Sequence, residues 1–200
     1  ISFILVIVFW GAFEQAGGLM NIYASEKTDR MLMGWEVPAS WFQSLNAMFI
    51  IILGTSVAAY WAHRKLKGKV STSLFKMCIG LIIMGTGFFF MTAAAAQFNS
   101  DGASAMYWLV LAYLFHTVGE LCLSPVALSY ITKLAPLKYA SLMMGVYFAM
   151  TGFGNKVAGL LGESASDLGE YTVFTGIAVF CVAFGLLVLL IRKKLEKLTH

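Results

Sequence analysis

Two glutamates occupy positions where a charge is costly. Glu14 sits in "FWGAFEQAGG" and Glu120 in "GELCLSPV", each inside a stretch that is otherwise almost without charge. An ionised group at a bilayer centre costs about 2.5–3.5 kcal/mol on insertion scales. An acid at that depth therefore implies a cavity, a partner or a bound proton. Two readings stand side by side: a protonated acid bonded to a neighbouring helix, or a site that binds protons or substrate.

The spacing around each acid adds detail. Trp10, Glu14, Gly17 and Asn21 fall at i, i+4, i+7 and i+11, one face of a helix. Trp10 could close over a ligand, and Gly17 and Gly18 would leave room for it. Thr117, Glu120 and Ser124 share another face, with His116 one turn back. A His and a Glu at that spacing could ligate a metal. No second His or acid lies near and no HExxH occurs. A neutral imidazole in an interhelical hydrogen bond is the preferred reading, and no metal site is expected. Lys156 is the one cation well inside an apolar run. It either snorkels outward, with Glu163 at i+7, or serves as a central base. Tyr147, Phe148 and Thr151 could form an aromatic wall with one hydroxyl, or simply pack. Gly154 and Ala158 read as helix packing. No nucleophile–base set is visible, which argues against an enzyme.

The elements that must hold these residues are membrane spans. Hydrophobic residues make up 60% of the 200-residue chain and charged ones 12%, with a mean hydropathy of +0.80. Soluble domains carry about a quarter charged residues, so the composition fixes the membrane class. The formal charge of +4 is no nucleic-acid footprint, because the cations cluster in short loops. Cys78, Cys122 and Cys181 all lie in apolar runs and read as free thiols. The sequence opens at Ile1 in mid-run, which predicts a fragment or half of a longer protein.

A bilayer core needs about 20 apolar residues per helix. Six spans are predicted, at about 1–24, 38–62, 73–97, 105–134, 139–164 and 171–191. Pro38 is expected in the first turn of the second span. Pro125 predicts a kink or broken turn in the fourth. Lys and Arg concentrate in "HRKLKGK", at Lys133 and Lys138, and in the tail "RKKLEK". The alternate loops hold Glu26, Asp29, Glu36, Asp101, Glu163, Asp167 and Glu170, against Lys27 and Arg30. By the positive-inside rule the first span starts in the cytoplasm and the C-terminus ends there, in an inner (cytoplasmic) membrane. Lys76 can snorkel out near its span's cytoplasmic end.

Polar residues are sorted among the spans in a repeating order. The first carries Glu14; the second Gln43, Ser44 and Asn46; the third is bare. The fourth carries Glu120; the fifth Thr151, Asn155 and Lys156; the sixth is bare. Successive three-helix units enter from opposite sides, the mark of a 3+3 inverted repeat. The first and fourth spans would line a central path, and the bare third and sixth would lie outside against lipid.

Four stretches then resemble a known family: "FWGAFEQAGG", "VPASWFQSLNAMFIIIL", "GELCLSPVALSYITKLAP" and "LMMGVYFAMTGFGNKVAG". In family order, and over nearly the whole chain, they are similar to the second half of proton-coupled oligopeptide transporters of the major facilitator superfamily. The resemblance implies an all-α integral membrane fold, with these six helices as the seventh to twelfth of twelve. It implies that Glu14 pairs with an arginine of the N-terminal half when the outer gate closes. Glu120 would meet the peptide amino terminus or a lysine of that half, and Asn46 would touch the peptide backbone. Tyr147, Phe148 and Thr151 would line a side-chain pocket. Trp10, Gln43 and Ser124 complete the expected binding set. Many relatives have Trp where Tyr147 stands, and Pro where Ala47 stands. The family's ExxER signature belongs to the first helix of the other half and is not in this chain.

The function implied is symport of di- and tripeptides with protons, by rocking of two six-helix halves, with no cofactor beyond the coupling proton. A zwitterionic peptide needs an anion for its amine and a cation for its carboxylate. This chain supplies two buried acids, so the carboxylate's partner is expected mainly from the N-terminal half. A cation beside a carboxyl group competes with its proton. Exchanging an interhalf ion pair for a proton would thus tie protonation to gating. The expected partners are small peptides, the lipid bilayer and the N-terminal half, and no nucleic acid. The other readings are a six-helix structural or regulatory module without transport, a channel, and a carrier of a non-peptide solute.

Overall fold

The structure, a computed structural model, describes residues 1–69, 71–133 and 136–196. The first predicted span is two helices. α1 (Ser2–Phe13) gives way to a single 3-10 turn (Glu14–Ala16), and after Gly17 and Gly18 the chain re-enters α2 (Leu19–Lys27). The Glu14 carbonyl accepts from the amides of Gly17 (3.2 Å) and Gly18 (3.3 Å), and Gly18 leaves helical geometry at φ −100, ψ −107. Each glycine disfavours a helix interior by about 1 kcal/mol relative to Ala, so a pair of them is where the helix yields. The unbroken helix to Ala24 expected from hydropathy is therefore corrected.

Of the kink or broken turn expected at Pro125, the broken turn does not occur: that residue lies inside a continuous α5 (Met106–Lys133). Proline removes one N–H, but a helix covered by neighbours tolerates this in a membrane. Leu134, the predicted end of the fourth span, and Lys197 of the basic tail lie outside the described residues. Pro38 also differs from expectation. It precedes the helix, its carbonyl accepting the amide of Trp41 at 3.0 Å, and α3 runs Trp41–Leu66. The remaining long helices are α4 (Ser73–Asp101), α6 (Ala140–Leu168) and α7 (Glu170–Glu196).

Four two-residue strands interrupt the helical pattern at the acidic ends. β1 (Thr28–Asp29) pairs in parallel with β4 (Ser104–Ala105), and β2 (Met31–Leu32) pairs antiparallel with β3 (Trp35–Glu36). The hairpin turns through Met33 and Gly34 with φ of 51 and 83, the two positive values of a type I′ turn. Lys27 and Glu170 form an ion pair at 2.6 Å, and Arg30 and Glu36 one at 2.5 Å.

Among the described residues, five helical elements are long and apolar enough to cross a membrane by length and composition: Ser2–Lys27, α3, α4, α5 and α7. α6 has 29 residues but falls short of that mark; it carries Asn155, Lys156, Glu163 and Asp167. α4 packs against both α5 and α7, α1 against α6, and α3 against α5. The α4–α5 approach depends on facing glycines. A Cβ built on Gly80 would stand 2.6 Å from the Gly119 carbonyl oxygen, and one on Gly119 would stand 2.7 Å from that of Gly80. Such close approach is how helices bind where lipid is as apolar as a leucine. The bare third span, expected outside against lipid, has the largest buried share of these five within this chain. In α4, 56% of the most apolar window is buried, against none in α3. Met77, Leu81, Met84, Phe88 and Met91 supply its buried face. The three cysteines are free and buried.

Candidate functional site: two acids about a broken helix

The break in the first span places the Glu14 side chain at a junction. One hollow of about 200 Å³ is lined by Glu14 and Gly17, by Gln43 and Asn46 of α3, and by Tyr113 and His116 of α5. A second, of about 440 Å³, lies between the broken helix and α6, lined by Glu14, Gly17, Gly18, Asn155, Ala158 and Gly162 among others. Glu14 borders both. Among the described residues its carboxylate has no hydrogen-bond or ion-pair partner.

Glu120 is held differently. The Asn46 amide donates to Glu120 Oε2 at 2.9 Å and to Thr117 Oγ1 at 3.1 Å. The Thr117 hydroxyl in turn donates to the Tyr113 carbonyl at 2.8 Å. Asn46 both lines the hollow that holds Glu14 and binds Glu120, so the acids stand one side chain apart. Glu14 is also near enough to act electrostatically on Glu120. The arrangement can hold a carboxyl group in fixed orientation beside a second, unpaired one. That suits proton exchange and the capture of a cationic group.

The junction is fastened by residues that the sequence reading passed over. Gln15 is 1% exposed, and its amide donates to the Gly11 carbonyl at 3.2 Å and to that of Ala158 on α6 at 3.0 Å. The Tyr113 hydroxyl donates to the Ala16 carbonyl at 2.9 Å, holding the 3-10 turn against α5. A signal existed: Gln15 is a second polar side chain at membrane depth, and Tyr113 lies seven residues, two turns, before Glu120. Replacing Gln15 by Leu should lower stability by about 0.5–1.5 kcal/mol, the worth of such bonds. Thermal unfolding in detergent reads this directly. An unchanged transition would show that the amide does not fasten the break.

The other expected residues are placed as follows. Gln43 is exposed but lines the first hollow. Ser124 is half-buried and makes no bond to Glu120. Trp10 stacks edge-on with Phe9 and Phe13 and meets Gly154 of α6. The Trp10 carbonyl still accepts the Glu14 amide, but neither Trp10 nor Asn21 lines either hollow. Tyr147 is buried and Phe148 is 60% exposed, their rings 5.6 Å apart, and Thr151 donates to the Tyr147 carbonyl at 3.2 Å within α6. None of these three lines either hollow. Lys156 is exposed and forms no ion pair with Glu163 among the described residues. His116 departs from the expected interhelical hydrogen bond. Its ring is 1% exposed, tilted over Phe88 at 4.4 Å and against Gly87, and neither nitrogen has a partner among the described residues. The close seat against Gly87 explains this, since the ring meets carbon rather than an acceptor.

Comparison with known proteins fits this geometry. The PTR2 profile, described as the POT family, matches residues 1–177. The chain is 41% identical over 167 residues to the peptide transporter YePEPT of Yersinia enterocolitica, covering 81% of this chain and 33% of that protein. It is 34% identical over 199 residues to the uncharacterized transporter YclF of Bacillus subtilis, covering 98% of this chain and 39% of that one. A crystal structure of the peptide transporter POT in complex with sulfate superposes with a TM-score of 0.89 at 31% identity, over 98% of this chain and 39% of that one. The chain thus spans well under half the length of these relatives. With its apolar helices, two acids at membrane depth and this match along most of its length, the chain belongs to the POT family of multi-pass membrane transporters.

Proposed function

We propose that this chain supplies the C-terminal half of the binding cavity of a proton-coupled symporter of di- and tripeptides, working by alternating access. The observation that carries the proposal is an unpartnered Glu14 lining a hollow that Asn46 also lines, with Asn46 in turn holding Glu120, which itself lines neither hollow. Glu14 waits for a cation from the N-terminal half, and Glu120 for the peptide amine or a lysine of that half. Gln43 and Asn46 offer amides to the peptide backbone. Trp10, Ser124, Tyr147, Phe148 and Thr151 are assigned to the wider cavity that forms when both halves meet. Protons are the coupling ion, and no further cofactor or covalent step is involved.

The helices are assigned to a 3+3 inverted repeat within a major facilitator fold. The crossed pairings support this: the first helix of one unit (α1) packs on the second of the other (α6), and α5 packs on α3 in the same way. The basic loops assign the C-terminus to the cytoplasm of the inner membrane. The test is uptake of a labelled dipeptide by the intact transporter at mildly acidic and neutral external pH. Acid-stimulated accumulation, lost on adding a protonophore, is expected. Uptake indifferent to both would reject proton coupling, and no uptake of any dipeptide would favour a non-peptide solute.

A further inference from the structure

A third hollow, lined by neither acid, has different chemistry. It is a groove of about 380 Å³ between α3, α4 and α5. Val57, Ile79, Ile83 and Val118 give it an apolar floor, and Tyr60 and Trp61 close the end nearest the loop after α3. On α5 the groove is bordered by Val118 and Cys122, each two residues from Glu120. Two residues of helix turn through about 200°, so this border faces nearly opposite to Glu120. The groove opens away from the hollow that the other half would cover, on the side left to the bilayer.

Its mouth is basic. The Arg64 guanidinium stands 5.3 Å from the centre of the Phe75 ring, and that of Arg192, from α7, stands 4.5 Å from the same ring. The Lys76 ammonium lies 5.2 Å over Trp61. Arg64 also donates to Ser71 Oγ at 2.8 Å. Glu196 is the acid of this neighbourhood, and it accepts from the Thr72 hydroxyl. Three half-buried cations thus gather around two rings that themselves line the groove, against one acid. Cations gathered on rings at one end of an apolar slot favour an anion there, and the slot itself admits hydrocarbon but offers little to a peptide.

We propose that this groove binds one anionic glycerophospholipid. Its phosphate sits among Arg64, Lys76 and Arg192, and an acyl chain runs along Val57, Ile79, Ile83 and Val118. Basic pockets between membrane helices recognise lipid headgroups through this chemistry. The site goes beyond peptide transport and does not depend on it.

The test uses the full-length transporter in nanodiscs of phosphatidylcholine doped with phosphatidylglycerol, with retained lipid counted by native mass spectrometry. One phosphatidylglycerol should be kept selectively. Arg64→Gln with Arg192→Gln should weaken retention about tenfold or more, whereas Arg64→Lys with Arg192→Lys should keep most of it. Val57→Trp fills the slot without touching a charge and should also expel the lipid. Lys193→Gln with Lys194→Gln, on the same exposed tail, should retain it. No preference over phosphatidylcholine, or equal loss in the Lys193/Lys194 variant, would overturn the proposal. So would retention by Val57→Trp, or protection against thermal unfolding by inorganic phosphate equal to that by the lipid, which would mark a free-anion site.

Discussion

In the full-length transporter, Glu120→Gln is expected to reduce proton-driven peptide uptake to background while insertion and folding survive. The geometry makes this substitution informative. Asn46 donates to Glu120 Oε2, and the Gln side chain keeps an oxygen that can accept the same bond. Thr117 still receives the second Asn46 donor. Stability should therefore change by no more than about 1 kcal/mol, the net worth of one hydrogen bond. What is lost is the ability to carry a charge and exchange a proton. Initial uptake rates in liposomes with an imposed proton gradient, read beside a thermal transition, separate the two effects. Uptake at the native rate would remove Glu120 from the mechanism, and loss of uptake with loss of the folded protein would assign it to structure.

That prediction rests on residues that hydropathy alone exposes. Glu14 and Glu120 are legible because a charge in an apolar run is costly and therefore noticeable. The helices are legible because about 20 apolar residues are needed to cross a bilayer. Backbone geometry is not encoded at that level. Gly17 and Gly18 do border a hollow, but their spacing does not reveal that they also mark the point where the helix stops and restarts. Pro125 invites a broken turn, yet α5 runs through it without one. Burial was also hidden in α4. A span without polar residues suits lipid and a helix interior equally, because the two are alike in polarity. The facing pair Gly80 and Gly119 marks the flank of α4 that packs on α5, and that pairing appears only when the helices are placed together. Trp10 shows the consequence for the site. Its spacing from Glu14 is correct for one face of a helix and its carbonyl accepts the Glu14 amide, but its Cβ lies against Gly154 of α6 and it lines neither hollow.

The broken helix also distinguishes Glu14 from Glu120, and the second large effect follows from that difference. Glu14→Gln in the full-length transporter should abolish accumulation against a gradient while exchange of peptide across the membrane persists. The turn does not depend on the acid group: the Glu14 main-chain carbonyl holds Gly17 and Gly18, Gln15 ties the turn to α6, and Tyr113 ties it to α5. A glutamine at position 14 leaves all of these in place. The carboxylate, by contrast, has no partner among the described residues and borders both hollows. Its charge is therefore available to a cation from the other half, and a proton taken up there would release that cation. Removing the charge would uncouple release from protonation but leave the Asn46–Glu120 contact, proposed to receive substrate, in place. Counterflow and gradient-driven uptake measured on the same proteoliposomes distinguish these steps. Loss of both would make Glu14 a binding group rather than a coupling group. Normal accumulation would transfer coupling to Glu120 or to the N-terminal half, and the break at "EQAGG" would then serve only to shape the cavity.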